Sequence, residues 1–220
     1  EVTGPSTMSL PARYKLGRAG CAIPGTELRI AEDGEVLIRG PHVFKGYYKN
    51  EEATREALDA DGWIHSGDVG EIDADGFLRV TDRKKELLIT SGGKNIAPQH
   101  LEGKLKQIAA VSQAVAIGDR RPYVVALLTL DPLRVAAEAE KAGSPARTPE
   151  DAARCPVFKA YVEKQVERAN QDLARYEQVK KIALLPQELS VETGELTPPL
   201  KLKRRVILER HKDAIEALYA

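Results

Sequence analysis

The chain has 220 residues, of which 42% are hydrophobic and 30% are charged, a composition typical of a soluble globular protein. Its 33 Lys and Arg equal its 33 Asp and Glu in number, so the summed charge gives no sign of a nucleic-acid or anionic-membrane partner. No apolar run reaches the ~20 residues that cross a bilayer. The two cysteines, Cys21 and Cys155, have no metal-ligand spacing, which favours a reducing, cytoplasmic setting.

The first third of the chain predicts a small, mostly β lobe. Its predicted strands are residues 27–30, 35–39, 69–73 and 77–81. Asp33-Gly34 and Asp75-Gly76, which separate these strands in pairs, are typical of hairpin turns. Between the hairpins, Asn50 is a good N-cap for a short helix that extends to Leu58.

A charged segment, Asp82–Glu86, separates this lobe from a part in which apolar periodicity predicts both strands and helices. The predicted strands are residues 87–90, 111–117, 123–130 and 181–185. The predicted helices begin at Pro98 and at Asp131-Pro132, extend from Pro156 to Leu173, and occupy the C-terminal end. The fold class is therefore α+β. Residues 1–84 form a β-rich lobe, and residues 85–220 form a small domain whose short central sheet is flanked by helices.

Three local patterns indicate candidate chemistry, and each also has an ordinary structural explanation. Asp68 follows a glycine and can accept hydrogen bonds from a ribose diol, although most Gly-Asp pairs are only turns. Ser91–Lys94 contains two adjacent glycines that let a ligand approach the backbone, although a tight strand-to-helix turn explains them equally well. Lys201 follows a loop that can deliver its ammonium to a phosphoryl oxygen, although a basic helix start is the simpler interpretation.

Taken in order, these segments resemble the motifs of adenylate-forming enzymes, which include acyl-CoA synthetases, luciferases and peptide-synthetase adenylation domains. The matching segments are Gly46–Tyr48, Asp61–Asp68, Thr81–Glu86, Ser91–Pro98 and Gly194–Lys201. The resemblance covers essentially the whole chain, and its C-terminal part is similar to the long-chain fatty-acid branch. It implies a fatty acid–CoA ligase that uses ATP and Mg²⁺ to form an acyl-adenylate and pyrophosphate. Coenzyme A then displaces AMP to give the thioester.

The resemblance also implies a role for each candidate residue. Asp68 and Arg83 would bind the nucleotide, Lys85 would be the hinge between the domains, and Lys201 would be the adenylation lysine. Glu1 would help to hold Mg²⁺. The residues expected to contact coenzyme A are Gly92, Gly93 and Lys94.

Glu1 resembles the last residue of a Mg²⁺-binding motif whose earlier residues are absent from this chain. We therefore expect a fragment that is inactive without the N-terminal domain of the same protein. Two alternatives stay open: a fatty-acyl-AMP ligase that stops at the adenylate, and a non-catalytic binding or regulatory module with the same fold. The expected partners are fatty acid, ATP and coenzyme A, without nucleic acid. The expected location is cytoplasmic, with peripheral contact at the inner membrane face left open.

Overall fold

The computed structural model describes all 220 residues, and they divide into two compact units, Glu1–Leu87 and Leu88–Ala220. Each unit has its own set of buried apolar side chains. The mixture of a curled antiparallel sheet with seven helices confirms the expected α+β class. None of these helices combines the length and the apolar composition needed to span a bilayer. A domain joint between residues 84 and 85 stays a prediction.

The first unit is built on a six-stranded antiparallel sheet. Its strands are β1 (Thr7–Met8), β2 (Gly20–Ala22), β3 (Glu27–Ile30), β4 (Glu35–Arg39), β5 (Ile64–Ile72) and β6 (Phe77–Arg83). Their spatial order is β1-β2-β6-β5-β4-β3, so β5 and β6 are the central pair. These two strands carry Asp68 and Arg83.

Apolar residues of β4, β5 and β6, with Trp63 just before β5, form the core of this unit. They are Val36, Leu37, Trp63, Ile64, Phe77 and Leu78. The guanidinium groups of Arg29 and Arg39 each lie 4.5 Å from the centre of the Trp63 ring, a cation–π geometry that covers the aromatic ring. Helix α1 (Glu51–Ala57) begins after Asn50, whose side chain accepts a hydrogen bond from the Ala53 N–H at 3.1 Å. The predicted N-cap is therefore confirmed.

The second unit combines two small sheets with six helices. Its strands are β7 (Leu88–Ile89), β8 (Asn95–Ile96), β9 (Val111–Ile117), β10 (Val124–Leu130) and β11 (Val179–Leu185). Its helices are α2 (Pro98–Leu105), α3 (Val135–Lys141), α4 (Pro149–Arg154), α5 (Pro156–Ala169), α6 (Arg204–Arg210) and α7 (Lys212–Tyr219). The three-stranded sheet has the order β11-β10-β9, with β10 antiparallel to β9 and parallel to β11. Strands β7 and β8 form a separate antiparallel pair.

Strand β10 is buried along its whole length because both faces of its sheet are covered. Its even-numbered residues, Val124 to Leu130, belong to a core that includes side chains of α2, α3, α4 and α5. Its odd-numbered residues Val125 and Leu127 belong to a second core with α6 and α7. Successive side chains of a strand point to opposite faces, so one strand contributes to two cores and its sequence is continuously apolar.

Two predicted helices have different limits in the structure. The helix expected from Asp131-Pro132 begins at Val135, because the Asp131 carboxylate accepts a hydrogen bond from the Leu133 N–H at 2.9 Å and holds a turn. Helix α4 lies just after this region and was not predicted; it begins where the Thr148 side chain accepts a hydrogen bond from the Asp151 N–H.

The ends of the last two predicted helices also differ from the structure. The helix expected to reach Leu173 ends at Ala169. The Asn170 side chain instead exchanges two hydrogen bonds with the backbone of Val179, at 2.9 and 3.0 Å, and so turns the chain towards β11. The single C-terminal helix is divided at His211 into α6 and α7.

Candidate functional site

Asp68 lies in an irregular part of β5 rather than on a turn between two elements. The pairing register shifts between Glu35 and Leu37 of β4, so β5 has additional residues opposite this point. Within them, Gly67 has a φ angle of +71°, a conformation that glycine adopts without steric cost. The sequence-based interpretation of this segment as a turn is therefore corrected to a bulge within a central strand.

Asp68 and Arg83 form an ion pair across β5 and β6. They are opposite each other in the antiparallel register, and Arg83 Nε lies 2.7 Å from Asp68 Oδ1. Their side chains are 29% and 62% exposed, so both reach solvent. The Asp68 N–H donates to Ser66 Oγ, and this hydroxyl donates to the Val36 carbonyl at 2.6 Å. A carboxylate and a guanidinium are thus held together at the surface by the backbone of the sheet.

On the neighbouring strand β4, the carboxylate of Glu35 is buried, with only 4% of the side chain exposed. It accepts hydrogen bonds from the Gly67 N–H at 2.9 Å and from Lys84 Nζ at 2.8 Å, and His65 Nδ1 lies 2.9 Å away. Burial alone would raise the pKa of Glu35, but the hydrogen bonds from Lys84, His65 and Gly67 outweigh it and hold this pKa below its ordinary value. The group therefore stays ionised at neutral pH.

The segment after β6 is a single helical turn, Lys84–Glu86, that contains two exposed lysines, of which Lys84 is held by ion pairs. Lys84 Nζ lies 2.6 Å from Asp33 Oδ2 and also contacts Glu35. The hydrogen bond from Lys84, followed by one from a backbone N–H, lowers the pKa of Asp33 below its ordinary value. Lys85, the expected hinge residue, is exposed to solvent.

Gly92, Gly93 and Lys94 lie together in the tight turn between β7 and β8. The Gly93 N–H donates to the Thr90 carbonyl at 2.8 Å, and the Lys94 N–H donates to Thr90 Oγ1 at 3.2 Å. Gly93 has φ +72°, and a side chain added there would meet no atom within 4 Å. Lys94 is exposed, with Nζ 5.8 Å from the centre of the Tyr176 ring. The turn therefore offers open backbone and a cation beside an aromatic ring.

Lys201 is exposed at the end of a narrow loop that connects β11 to α6. The two sides of the loop are joined where Leu196 pairs with Leu202. At its tip, the Lys201 N–H donates to Thr197 Oγ1 at 3.0 Å. Leu200 has a φ angle of +60°, which costs a non-glycine residue about 1–2 kcal/mol. The loop is thus ordered by its backbone while the Lys201 ammonium faces solvent.

Two buried glutamates fix the base of the Lys201 loop. On one side, Glu195 Oε1 lies 2.7 Å from His211 Nε2, and the Glu195 carbonyl accepts the Lys203 N–H at 2.8 Å. On the other side, Arg204 makes two hydrogen bonds of 2.8 Å to the Glu102 carboxylate. Such paired bonds between guanidinium and carboxylate are strongly directional. The loop is therefore attached to α2 and to the junction of α6 and α7.

Glu1 belongs to the first unit, where its carboxylate accepts a hydrogen bond from the Tyr47 hydroxyl. This hydrogen bond raises the pKa of Tyr47 above its ordinary value. No group of three or more His, Cys, Asp or Glu side chains gathers into a metal cage. A single carboxylate is nevertheless a suitable protein ligand for Mg²⁺ that is held mainly by substrate phosphates and water.

The structure brings together some of the residues predicted from the sequence and adds others. Asp68 contacts Arg83, and the Gly92–Lys94 segment forms one turn, whereas Lys201 has its own loop. The residues that sequence reasoning missed are Glu35, Lys84, Glu102, Glu195 and His211. No local pattern predicts their roles, because each role is defined by a partner that is remote in sequence. This holds even for Lys84 and Glu195, which lie within the matching segments Thr81–Glu86 and Gly194–Lys201.

The sequence pattern described as the AMP-binding enzyme C-terminal domain matches residues 85–220. The chain belongs to the AMP-binding enzyme family. This finding confirms the resemblance to adenylate-forming enzymes that the ordered motifs indicated. It also assigns the AMP-binding enzyme C-terminal domain to the part of the chain that carries the Gly92–Lys94 turn and the Lys201 loop.

Curated AMP-binding enzymes align with the whole chain. The long-chain-fatty-acid–CoA ligase FadD15 of Mycobacterium bovis is 42% identical over 220 residues, which cover all of this chain and 36% of that protein. The long-chain-fatty-acid–CoA ligase ACSBG1 of Bos taurus is 37% identical over 242 residues, which cover all of this chain and 33% of that protein. The chain therefore spans about a third of the length of these relatives.

A solved structure shows a similar fold. The O-succinylbenzoate coenzyme A synthetase MenE of Bacillus subtilis, in complex with AMP, matches with a TM-score of 0.57 and 28% sequence identity. The match covers 87% of this chain and 35% of that chain.

Proposed function

We propose that this chain is the C-terminal part of a long-chain fatty acid–CoA ligase that forms acyl-CoA through an acyl-adenylate. The observation that carries the proposal is the alignment of the whole chain with a long-chain-fatty-acid–CoA ligase at 42% identity. An exposed lysine on an ordered loop and a carboxylate–guanidinium pair at the sheet surface support it. Because the chain spans about a third of such relatives, we expect it to be inactive by itself.

In the first step, a carboxylate oxygen of the fatty acid attacks the α-phosphorus of ATP, and the bond from that phosphorus to pyrophosphate breaks. Two anions must approach each other, so a cation near the reacting oxygens stabilises the transition state. We assign this role to the Lys201 ammonium. Asp68 accepts hydrogen bonds from the ribose hydroxyls, and Arg83 supports the same nucleotide.

In the second step, the sulfur of coenzyme A attacks the acyl carbonyl carbon, the thiol proton is lost, and AMP leaves with the former carboxylate oxygen. We assign Gly92 and Gly93 to the passage for the pantetheine arm, since their backbone is open, and Lys94 to a phosphate of coenzyme A. Lys85 is the hinge about which the second unit reorients between the two steps, a conformational change of the kind that often gates catalysis.

Glu1 contributes a carboxylate to Mg²⁺, which when bound neutralises charge on the phosphates of ATP. We place the complete protein in the cytoplasm, in keeping with the two free thiols Cys21 and Cys155. Peripheral contact with the inner membrane face suits a ligase of lipid substrates.

The test compares Lys201→Ala with wild type in the complete protein that contains this chain. Palmitoyl-CoA formation is measured from palmitate, ATP and coenzyme A, and separately from palmitoyl-adenylate and coenzyme A. We expect the first rate to fall about 10²–10³-fold and the second to stay largely unchanged, because only adenylation needs the cation. The matched control is Lys203→Ala, which removes an exposed lysine two residues away.

Each other outcome identifies a different function. ATP-dependent hydroxamate formation by the complete protein with hydroxylamine, without consumption of coenzyme A, would establish a fatty-acyl-AMP ligase. The absence of both products from wild type would establish a non-catalytic module. Equal activity of wild type and Lys201→Ala would remove Lys201 from the mechanism.

A further inference from the structure

A closed ring of contacts connects Asp68 to the residue that precedes the hinge. The Asp68 carboxylate binds Arg83 at 2.7 Å, and Arg83 is followed directly by Lys84. Lys84 Nζ binds the Glu35 carboxylate at 2.8 Å, and Glu35 accepts the Gly67 N–H at 2.9 Å. Gly67 is bonded to Asp68, which completes the ring.

Glu35 is the buried member of this ring. Its side chain is 4% exposed, compared with 41% for Lys84 and 29% for Asp68. A buried carboxylate requires partners, so Glu35 keeps its three donors in fixed positions. The Gly67 N–H is the donor that directly precedes Asp68 in the chain. The backbone of Gly67 is in the left-handed region, and a glycine can adopt other conformations at little cost. The hydrogen bond from its N–H to Glu35 therefore selects this conformation.

We propose that Glu35 is a positioning residue for ATP and the acyl-adenylate, acting through the Gly67 N–H on Asp68 and through Lys84 on Arg83. The inference rests on the proposed function, because it takes Asp68 and Arg83 as the nucleotide-binding pair. Glu35 itself touches no substrate. It determines the spacing of the two groups that do.

The same contacts determine where the hinge can begin. Lys84 is held to the first unit by Glu35 and by Asp33, at 2.8 and 2.6 Å. Backbone rotation between the two catalytic steps therefore begins after Lys84, at the exposed Lys85. The Glu35 carboxylate thus positions Asp68 and Arg83, and it also holds Lys84, the residue before the hinge, to the first unit.

The experiment measures the KM of four substrates in the complete ligase for Glu35→Gln and Lys84→Met. The Gln side chain keeps an oxygen for the Gly67 N–H but loses the charge that binds Lys84. We expect the KM values of ATP and palmitoyl-adenylate to rise about ten-fold, as the loss of a charge-assisted hydrogen bond predicts. Both have a ribose with free 2′- and 3′-hydroxyls for Asp68, whereas the ribose of coenzyme A carries a 3′-phosphate. The KM values of palmitate and coenzyme A should stay within about two-fold. The matched control is Glu32→Gln, which changes an exposed glutamate in the same hairpin.

A variant with both substitutions tests whether Glu35 acts by positioning the nucleotide-binding pair or only by stabilising the fold. Glu35→Gln and Lys84→Met break the same ring, so their combined effect on the ATP KM should not exceed that of Glu35→Gln alone, whereas independent sites would multiply. Equal changes in all four KM values, or a lowered unfolding temperature with unchanged KM values, would overturn the proposal. Lys84→Met, at the more exposed member, supplies the measurement should Glu35→Gln not fold.

Asp68→Asn distinguishes this inference from the proposed function. If Asp68→Asn raises the KM of ATP and Glu35→Gln does not, only the positioning role fails. If Asp68→Asn leaves the KM of ATP unchanged, the nucleotide assignment itself fails.

Discussion

Three buried glutamates support the segments that carry the candidate functional residues. Glu35, Glu102 and Glu195 are 3%, 6% and 3% exposed, and each lies beside a basic side chain. An ionised carboxylate in such a place is strongly destabilising unless it is paired, so its partners are held in defined positions. Most of the candidate residues themselves, such as Lys201, are exposed, and Asp68 is half-buried. The buried glutamates thus hold the structure in place, and other residues remain accessible to substrates.

The clearest pH dependence at the residue scale belongs to Asp73. Hydrogen bonds from Lys15, then from the Phe77 N–H, lower the pKa of Asp73 from 3.8 to about 2. A lowered pKa stabilises the fold above the ordinary value, and this contribution is lost as the pH falls through about 2. We expect Lys15→Met to raise the pKa of Asp73 part of the way to its ordinary value, as measured by NMR titration of the carboxyl carbon. The exposed Lys45→Met is the control, and an unchanged Asp73 titration in Lys15→Met would contradict the assignment.

At the same scale, the sequence predicts the functional residues that belong to motifs. It does not predict the buried residues that hold those functional residues in position. Asp68 and Arg83 could be named from ordered motifs, and the structure brings them into contact. Glu35 could not, because nothing in the sequence shows that a glutamate after a hairpin turn is buried. Its partners come together only in the fold, where the bulge in β5 brings the remote Gly67 N–H to its carboxylate.

At the scale of elements, apolar patterns predict the long strands. The limits of the helices are instead decided by side chains that form hydrogen bonds with the nearby backbone. β9 has the predicted limits, and β10 begins one residue after the predicted start, because their apolar runs are continuous. The two-residue strand β8 is too short to produce a pattern. The helix limits were wrong where Asp131 and Asn170 bind backbone groups with their side chains, which competes with continuation of a helix.

The Lys201 loop provides a prediction for a whole element. His211→Ala removes one partner of the buried Glu195, whose carboxylate also contacts Thr193 and Arg210, so the base of the loop should open more often. We expect the Lys203 amide, which donates to the Glu195 carbonyl, to exchange with solvent about ten-fold faster, as loss of roughly 1.4 kcal/mol of local stability predicts. NMR hydrogen exchange measures this rate. Lys212→Ala, an exposed neighbouring change, should leave it unaltered, and equal rates in His211→Ala and wild type would show that the contact does not anchor the loop.

At the scale of the whole molecule, the two compact units have separate cores. Phe77 is 3% exposed in the first unit, and Phe158 is 0% exposed in the second. The α+β class followed from the change of pattern along the chain, from short hairpins to alternating strands and helices. The two cores on either side of β10 could not be predicted, because a continuous apolar run does not show which elements cover each face.

A matched pair of core substitutions tests whether the units unfold separately. Phe77→Ala and Phe158→Ala each leave a cavity, which typically destabilises a protein by about 3–5 kcal/mol. We expect calorimetry of this chain to show two transitions, and each substitution to lower only the transition of its own unit. A single transition that both substitutions lower equally would show that the chain unfolds as one cooperative unit.

Strand β10 has a further consequence for the chain before it folds. Residues Val124–Leu130 read Val-Val-Ala-Leu-Leu-Thr-Leu, with no charge and no proline. A segment of this kind favours intermolecular stacking into fibrils whenever it is uncovered. In the native state, β9 and β11 occupy both of its edges and the two cores cover both faces. The strand that joins the two cores is therefore also a part of the second unit that needs to be enclosed quickly during synthesis.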